Sequence, residues 1–197
     1  MIQTIAQTIE QARGQVRNAV NQAMVASYWQ VGRLIVEHEQ QGGSRAAYGK
    51  RQLETLSQHL TERLGKGFDV RNLRNMRAFY QAYPNRNAVR TELSWTHYRC
   101  LLRIENPAAR QWYQQEAIQQ HWSARALERQ ISKLYYERLL ASKDKALLET
   151  EAANKTAPLA ESAKDYLRDP YILDFLNLQD KSYQEAELEQ AIITNLQ

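Results

Sequence analysis

Two short stretches of the sequence place arginines where they could hold an anion. Residues 67–77, GFDVRNLRNMR, carry three arginines at intervals of three, and residues 121–130, HWSARALERQ, repeat the same order of residue types. In each stretch an aromatic residue is followed by a helix-capping residue, a small apolar residue, an arginine and, two positions later, a leucine. A guanidinium group forms paired hydrogen bonds with phosphate, and a helix N-terminus favours anions. The repeated pattern therefore predicts phosphate binding at the start of two helices.

Eight side chains are candidates for contact with nucleic acid. Basic side chains are expected at phosphates, whereas amides can recognise base edges in a groove. The candidates are Arg71, Arg74, Arg77, Arg125, Arg129 and Lys133 for phosphates, and Asn72 and Asn75 for bases. The competing interpretation is a helical body whose solvated faces happen to be rich in arginine.

Helix-turn-helix units are predicted to position these side chains. In the first unit a leucine-rich helix ends near Gly65, and Asp69 caps the helix that follows. In the second unit a helix starts at Pro107, and Ser123 caps the next one. The faces expected to be buried are Leu73, Met76, Tyr80 and Tyr83 in the first unit, and Leu127, Ile131 and Leu134 in the second.

The first forty residues predict one long helix or two collinear ones. Apolar residues recur at alternating steps of three and four, which is typical of a helix–helix seam within one chain or between two chains. Packing within its own domain is favoured over a dimeric coiled coil, because few charged pairs flank the seam. The stripe consists of Ile2, Ile5, Ile9, Ala12, Val16, Ala19 and Ala23, and it continues near Val31, Leu34 and Ile35.

Composition predicts an all-α, cytoplasmic protein with a basic body. Only 7 Gly and 4 Pro occur in 197 residues, which disfavours an all-β fold with many tight turns. Cys100 is the single cysteine, the first residues lack the features of a secretory signal, and no apolar run reaches the ~18 residues that cross a membrane. Residues 1–140 carry 20 Lys and Arg against 11 Asp and Glu, whereas residues 141–197 carry 6 against 11. The basic part therefore predicts an anionic partner.

Signals for catalysis are weak in this sequence. His97 and Cys100 are three positions apart on a predicted helix, but a zinc site needs two more ligands and the other histidines are dispersed. A lone helical cysteine is typically a small buried hydrophobe. The stretch LGKGF is not a phosphate-binding loop, since no strand precedes it and neither Ser nor Thr follows Lys66.

Longer motifs resemble a known bacterial family. In order, YGKRQLETLSQHLTERLGKGFDVRNLRNMRAFY, ELSWTHYRCLLRI and WSARALERQI are similar to the N-terminal domain of the YhcG family, over roughly residues 10–140. RDPYILDFLNL and ELEQAIITNLQ resemble the start of that family's second domain, a nuclease of the PD-(D/E)XK type. The resemblance implies a helical, DNA-binding N-terminal domain followed by a metal-dependent nuclease domain.

This resemblance, together with composition, implies three parts. They are a helical DNA-binding domain at 1–140, a small and charged linker at 141–167, and an incomplete N-terminal edge of a nuclease domain at 168–197. Glu189, or else Glu187, would match a glutamate near the family's metal site. One carboxylate cannot hold a divalent ion and activate water, so this chain is expected to bind no cofactor and not to cut DNA. Mg²⁺ is expected only in the full-length nuclease.

The sequence thus predicts a module that binds DNA and brings a nuclease to its substrate, with no membrane partner. The alternative is a helical dimerisation or protein-docking module that has no direct contact with nucleic acid. In that alternative the N-terminal helix forms a homodimer and the basic faces are simply solvated.

Overall fold

The computed structural model describes residues 1–41, 46–160 and 169–176, with the side chains of residues 1–40, 51–160 and 169–176. In these ranges all the regular structure is helical and no strand occurs, so the all-α prediction is confirmed. Two 3₁₀ turns lie at Arg86–Ala88 and Ala157–Leu159. The helices are α1 (Ile2–Gln41), α2 (Ala46–Leu64), α3 (Val70–Ala82), α4 (Trp95–Leu101), α5 (Pro107–Gln119), α6 (Ala124–Ser132), α7 (Tyr135–Ala141), α8 (Lys145–Thr156) and α9 (Pro170–Phe175).

The helices form two compact units. The first contains α1, α2, α3 and α9, and the second, residues 92–163, contains α4 to α8. The boundary falls inside the segment 1–140 that was expected to form one body. Helix α8 lies within the expected linker and buries Ala152 and Thr156 in the second unit. Each unit therefore has a core of its own, and the family-based division of the chain stays a prediction.

In the first unit α3 packs closely across α1. Gly32 allows this approach, because a Cβ atom at this position would stand 2.0 Å from the carbonyl oxygen of Met76. Nε1 of Trp29 donates a hydrogen bond of 2.7 Å to the carbonyl oxygen of Tyr83, just beyond the end of α3. The Trp29 ring also meets the ring of Tyr80 edge-on at 5.2 Å. One glycine and one tryptophan of α1 thus fix the position of α3.

The buried face of α1 is not the apolar stripe that the sequence indicated. Ile2, Ile5 and Ile9 are 83%, 56% and 48% exposed. The prediction that this stripe packs within its own domain is therefore wrong for these three isoleucines in the part of the chain that the structure describes, whereas Ile35, in the continuation of the stripe, is buried. Helices α3 and α9 both pack on α1, whose other buried hydrophobic residues are Val20, Met24, Val25, Tyr28, Trp29 and Val36.

The turn between α2 and α3 has the predicted form. Helix α2 ends at Leu64, and Gly65 follows with a φ of 88°, a conformation that glycine adopts without strain. The Asp69 carboxylate then accepts hydrogen bonds from the backbone N–H groups of Arg71 and Asn72 at 2.9 and 3.1 Å. The predictions for Gly65 and Asp69 are confirmed.

The second unit is organised around the turn between α5 and α6. Ser123 caps α6, since its Oγ accepts a hydrogen bond of 3.1 Å from the N–H of Ala126, and it donates one of 2.5 Å to the carbonyl of Leu159. Nε2 of the buried His97 lies 2.9 Å from the carbonyl oxygen of Trp122. These bonds fasten the turn to α4 on one side and to the segment after α8 on the other.

Helix α6 is shorter than the sequence indicated. It ends at Ser132, and Leu134 adopts a left-handed conformation with φ at 52° and a side chain that is 58% exposed. The prediction that Leu134 is buried is therefore wrong. The left-handed conformation of Leu134 interrupts the helix, so α7 begins after it as a separate helix.

Candidate nucleic-acid interface

Helix α3 presents a basic face that contains no acidic residue. Its 13 residues include three arginines and neither Asp nor Glu. Leu73, Met76 and Phe79 are fully buried against the rest of the first unit. Arg71 and Arg74, one turn apart, are both exposed on the opposite side. The packing of α3 thus directs two guanidinium groups to the same face.

Asp69 occupies the N-terminus of α3. Its carboxylate already accepts hydrogen bonds from two of the first N–H groups of the helix, which are the groups that would otherwise bind an anion. A phosphate at this face would therefore be held by the arginine side chains rather than by the helix terminus. This changes the expectation from the sequence, in which the terminus and the arginines contributed together.

Asn72 cannot read a base in this conformation. Its side chain is only 2% exposed, and its Nδ2 donates a hydrogen bond of 2.7 Å to the carbonyl oxygen of Gly67. It also forms a hydrogen bond with Tyr28, whose pKa is raised mainly by burial. The assignment of Asn72 to base contact is wrong, because the residue ties the turn before α3 to the core. Asn75 is half-buried and remains a candidate.

Arg77 has a structural partner on α1. Its Nε donates a hydrogen bond of 2.7 Å to Oε2 of Glu39, and the Glu39 side chain is 19% exposed. This ion pair neutralises the charge of Arg77 and holds α3 to α1. The sequence carries no signal for the pair, since the two residues are 38 positions apart.

Helix α6 presents a face of mixed charge. Arg125 and Lys133 are exposed and Arg129 is half-buried. Glu128 lies among them and forms an ion pair of 2.7 Å with Arg103. In the repeated pattern Glu128 corresponds to Arg74. Helix α6 therefore carries an acidic side chain where α3 carries a basic one, and this side chain disfavours an anion.

A further carboxylate lies near the basic residues of the second unit. Nη2 of Arg138 donates a hydrogen bond of 2.7 Å to Oε2 of Glu151. This bond and the charge of Arg138 lower the pKa of Glu151, and the charge of Arg129 adds to the effect. Arg129 therefore lies in the field of an acidic residue. Together with Glu128, Glu151 makes the surroundings of α6 less favourable to phosphate than those of α3.

The repeated pattern describes a shared way of burying a helix start. The leucines at 73 and 127 are both completely buried, and the residues before them, Asn72 and Ala126, are 2% and 1% exposed. The capping residues Asp69 and Ser123 hold the same relation to their helices. The repeated residues therefore reflect packing and capping, and of the two helices only α3 presents a basic face without acidic residues.

A groove of about 680 Å³ in the second unit has the opposite character. Alanines of α8 line it together with Trp122, Tyr135 and the carboxylates of Glu116 and Glu149. Burial raises the pKa of Glu116, and the charge of Glu149 raises it further. An acid-lined groove repels phosphate, so it contributes nothing to a nucleic-acid interface. Sequence reasoning missed this groove.

His97 and Cys100 belong to the core of the second unit. Nδ1 of His97 lies 2.7 Å from Oγ of Ser94, and its other ring nitrogen meets the carbonyl of Trp122. Burial raises the pKa of the Cys100 thiol to about 11, so the thiol stays protonated at neutral pH. Among residues 1–41, 46–160 and 169–176, no group of three or more His, Cys, Asp or Glu could hold a metal ion. Glu187 and Glu189 lie outside the described residues.

Comparison with known proteins identifies a family and a similar protein. Residues 4–138 match the family described as the DUF1016 N-terminal domain. A protein of Escherichia coli (strain K12) named "Putative nuclease YhcG" is 36% identical over 98% of this chain and 59% of its own length. The chain therefore spans about three fifths of that relative. No solved structure matches the chain significantly. No helix in the part of the chain that the structure describes is long and apolar enough to cross a membrane.

Proposed function

We propose, from the premise that this chain belongs to the DUF1016 N-terminal domain family, that its first unit binds DNA through α3. The binding would bring DNA to a nuclease domain of the full-length protein. The nuclease named among its relatives supports a nucleic-acid partner. The observation that carries the proposal is the exposed, acid-free arginine face of α3.

In this proposal Arg71 and Arg74 bind phosphates. Both are exposed and no acidic residue of α3 competes for them. Contacts with phosphates position a protein on DNA without reading its sequence. Of the two asparagines, Asn75, half-buried beside them, remains a candidate for a base contact. The expected complex is therefore tight at low salt and only weakly selective for sequence.

Helix α6 has a lesser role in the same proposal. Arg125 and Lys133 would add long-range attraction, but Glu128 and Glu151 offset much of it. The two helices thus differ in their expected contribution to affinity, although the sequence indicated similar ones. We propose that the chain itself does not cut DNA. Hydrolysis in the full-length protein would need a cluster of carboxylates that holds a divalent ion such as Mg²⁺.

Paired substitutions test the assignment of α3. We expect Arg71→Ala with Arg74→Ala to weaken binding to a labelled DNA duplex on the order of tenfold at moderate salt, because two phosphate contacts are lost. The matched control is Arg125→Ala with Arg129→Ala, which removes the same charge from α6 and should have a smaller effect. Circular dichroism verifies the fold of both variants. Equal losses in the two variants would mean that net charge, and not α3, determines affinity.

A second candidate function is supported by the exposed isoleucines of α1. In this alternative the chain is an assembly module, α1 binds a partner helix, and the arginines of α3 are only solvated. Light scattering combined with a DNA titration separates the two functions. A dimer that leaves DNA unbound at low salt supports assembly alone.

A further inference from the structure

The first part of α1 carries an apolar stripe that is exposed among the described residues except at Val16, which is half-buried. We call this set the N-terminal stripe: Ile2, Ile5, Ile9, Ala12, Val16 and Ala19. The buried residues of α1 begin only at Val20. From Ile2 to Ala19 the helix is about 27 Å long, at 1.5 Å per residue, and it contributes no buried side chain.

Such a segment is poorly stabilised by itself. Helices of this length are marginal in water unless an apolar face is packed, and this segment also contains Gly14, which lowers helix stability. A contiguous row of three exposed isoleucines is unusual on a monomer surface and typically marks an interaction site. A partner helix would provide both the packing and the stability that the segment lacks.

We propose that the partner is a second copy of this chain, and that the two N-terminal stripes pack antiparallel. The stripe has alternating steps of three and four, as in the seam of a coiled coil. In an antiparallel pair, residues whose numbers add up to 21 face each other. Ile2 then faces Ala19, Ile5 faces Val16, and Ile9 faces Ala12.

This register gives every layer a similar volume. Each of the three isoleucines meets a smaller residue, and the same contacts recur on both sides of the two-fold axis, as an isologous interface requires. In a parallel pair each residue would face its own copy. Three layers of two isoleucines would then be followed by layers of two alanines, two valines and two alanines, so one half of the seam would be bulky and the other would contain gaps. The sequence is therefore complementary to itself in the antiparallel direction.

The flanking positions are compatible with this pairing. The antiparallel register brings Thr8 beside Gln15 and Ala6 beside Arg13, so no like charges meet across the seam. Glu10 forms an ion pair of 3.1 Å with Arg13 of its own helix. Because no two like charges face each other across the seam, two identical surfaces can approach without electrostatic repulsion.

The contact is small, which predicts a weak dimer. A strip about 27 Å long and roughly 10 Å wide covers about 270 Å² on each chain, which is less than a stable specific interface buries and fits only a weak, transient contact. We therefore expect a monomer–dimer equilibrium that depends on concentration rather than a permanent dimer. The dimer does not depend on DNA binding, and it would place two α3 helices in one assembly.

Analytical ultracentrifugation over a wide concentration range tests the dimer. We expect the wild-type chain to shift from monomer to dimer, and Ile5→Glu with Ile9→Glu to stay monomeric throughout. The control, Gln7→Glu with Gln11→Glu, adds the same two charges to the opposite side of the helix and should dimerise at least half as tightly as wild type. A wild-type chain that stays monomeric at the highest concentration, or an isoleucine variant that still dimerises, would overturn the proposal.

Disulfide trapping tests the orientation. An Ile2→Cys variant should not crosslink to itself, because the two positions lie about 25 Å apart in the antiparallel pair. Mixed with an Ala19→Cys variant, it should form a crosslinked heterodimer upon mild oxidation. The wild-type chain is the control, since its Cys100 is buried. Efficient crosslinking of Ile2→Cys alone would indicate a parallel pair and contradict the register.

Discussion

Gly14 and Gly32 lie on the same helix in opposite surroundings. An added Cβ at Gly32 would collide with the carbonyl oxygen of Met76 at 2.0 Å, whereas at Gly14 it would meet only Nη2 of Arg17 at 3.8 Å. We expect Gly32→Ala to lower the free energy of unfolding by about 2–3 kcal/mol, because α3 must move away from α1. Gly14→Ala should instead stabilise the helix by about 0.5–1 kcal/mol.

Urea unfolding followed by circular dichroism measures both effects. The Gly14 variant is the matched control, since it makes the same chemical change in the same helix. An unfolding midpoint for Gly32→Ala equal to that of wild type would contradict the close packing of α3 on α1.

Glu116 provides a prediction about pH. Burial raises the pKa of its carboxyl group in the folded protein, so ionisation of this group favours the unfolded state. We expect Glu116→Gln to be more stable than wild type at neutral pH, by less than about 1 kcal/mol because the group is half-exposed. The difference should shrink as the pH falls below about 4, where the carboxyl group is protonated in both states.

Thermal unfolding between neutral and acidic pH measures this difference. Glu105→Gln, which changes an exposed residue of the same unit, should behave like wild type across that range. A Glu116→Gln variant that is less stable than wild type at neutral pH would show that the carboxylate is favourably paired.

At the scale of the helices, the break between α6 and α7 carries strain. Leu134 is exposed and has a φ of 52°, which costs a branched residue about 1 kcal/mol relative to glycine. We expect Leu134→Gly to raise the free energy of unfolding by up to about 1 kcal/mol. Leu140→Gly, at a 68% exposed position inside α7, should lower it by a similar amount. Chemical unfolding of both variants checks the signs, and a destabilised Leu134→Gly variant would contradict the strain.

Local signals predicted the ends of the helices well. Asp69 and Ser123 cap the helices that the sequence assigned to them, and Gly65 follows the last residue of α2. Each of these features depends on neighbours within about four residues, which a sequence shows directly. Leu134 escaped prediction because a left-handed leucine has no such signal.

The buried faces of the helices were harder to predict. The stripe of α1 that begins at Ile2 is as regular as the buried one, and only the packing of α3 near Gly32 distinguishes them. A polar residue such as Asn72 is expected at the surface. Its side-chain amide is nevertheless buried, because it donates a hydrogen bond to the carbonyl oxygen of Gly67. The pairing of Arg77 with Glu39 likewise depends on tertiary structure. Six of the eight candidate residues thus keep side chains that are both accessible and outside that ion pair.

At the scale of the whole molecule, the two proposals reinforce each other. A weak antiparallel dimer would carry two basic faces on one DNA molecule, and the second contact then forms at a high effective concentration. The fraction of DNA bound should therefore rise more steeply with protein concentration for the wild-type chain than for the variant with Ile5→Glu and Ile9→Glu. DNA binding itself depends on the basic face of α3, whereas the dimer depends on the N-terminal stripe of α1.

The most direct test of DNA binding is the salt dependence of the affinity for a labelled duplex. Fluorescence anisotropy of the wild-type chain between about 50 and 200 mM salt gives the slope of log affinity against log salt. The two phosphate contacts of Arg71 and Arg74 predict a slope of about −2 or steeper, and the double alanine variant should lose roughly two units of it. No binding at the lowest salt, or the same slope in both proteins, would contradict the account.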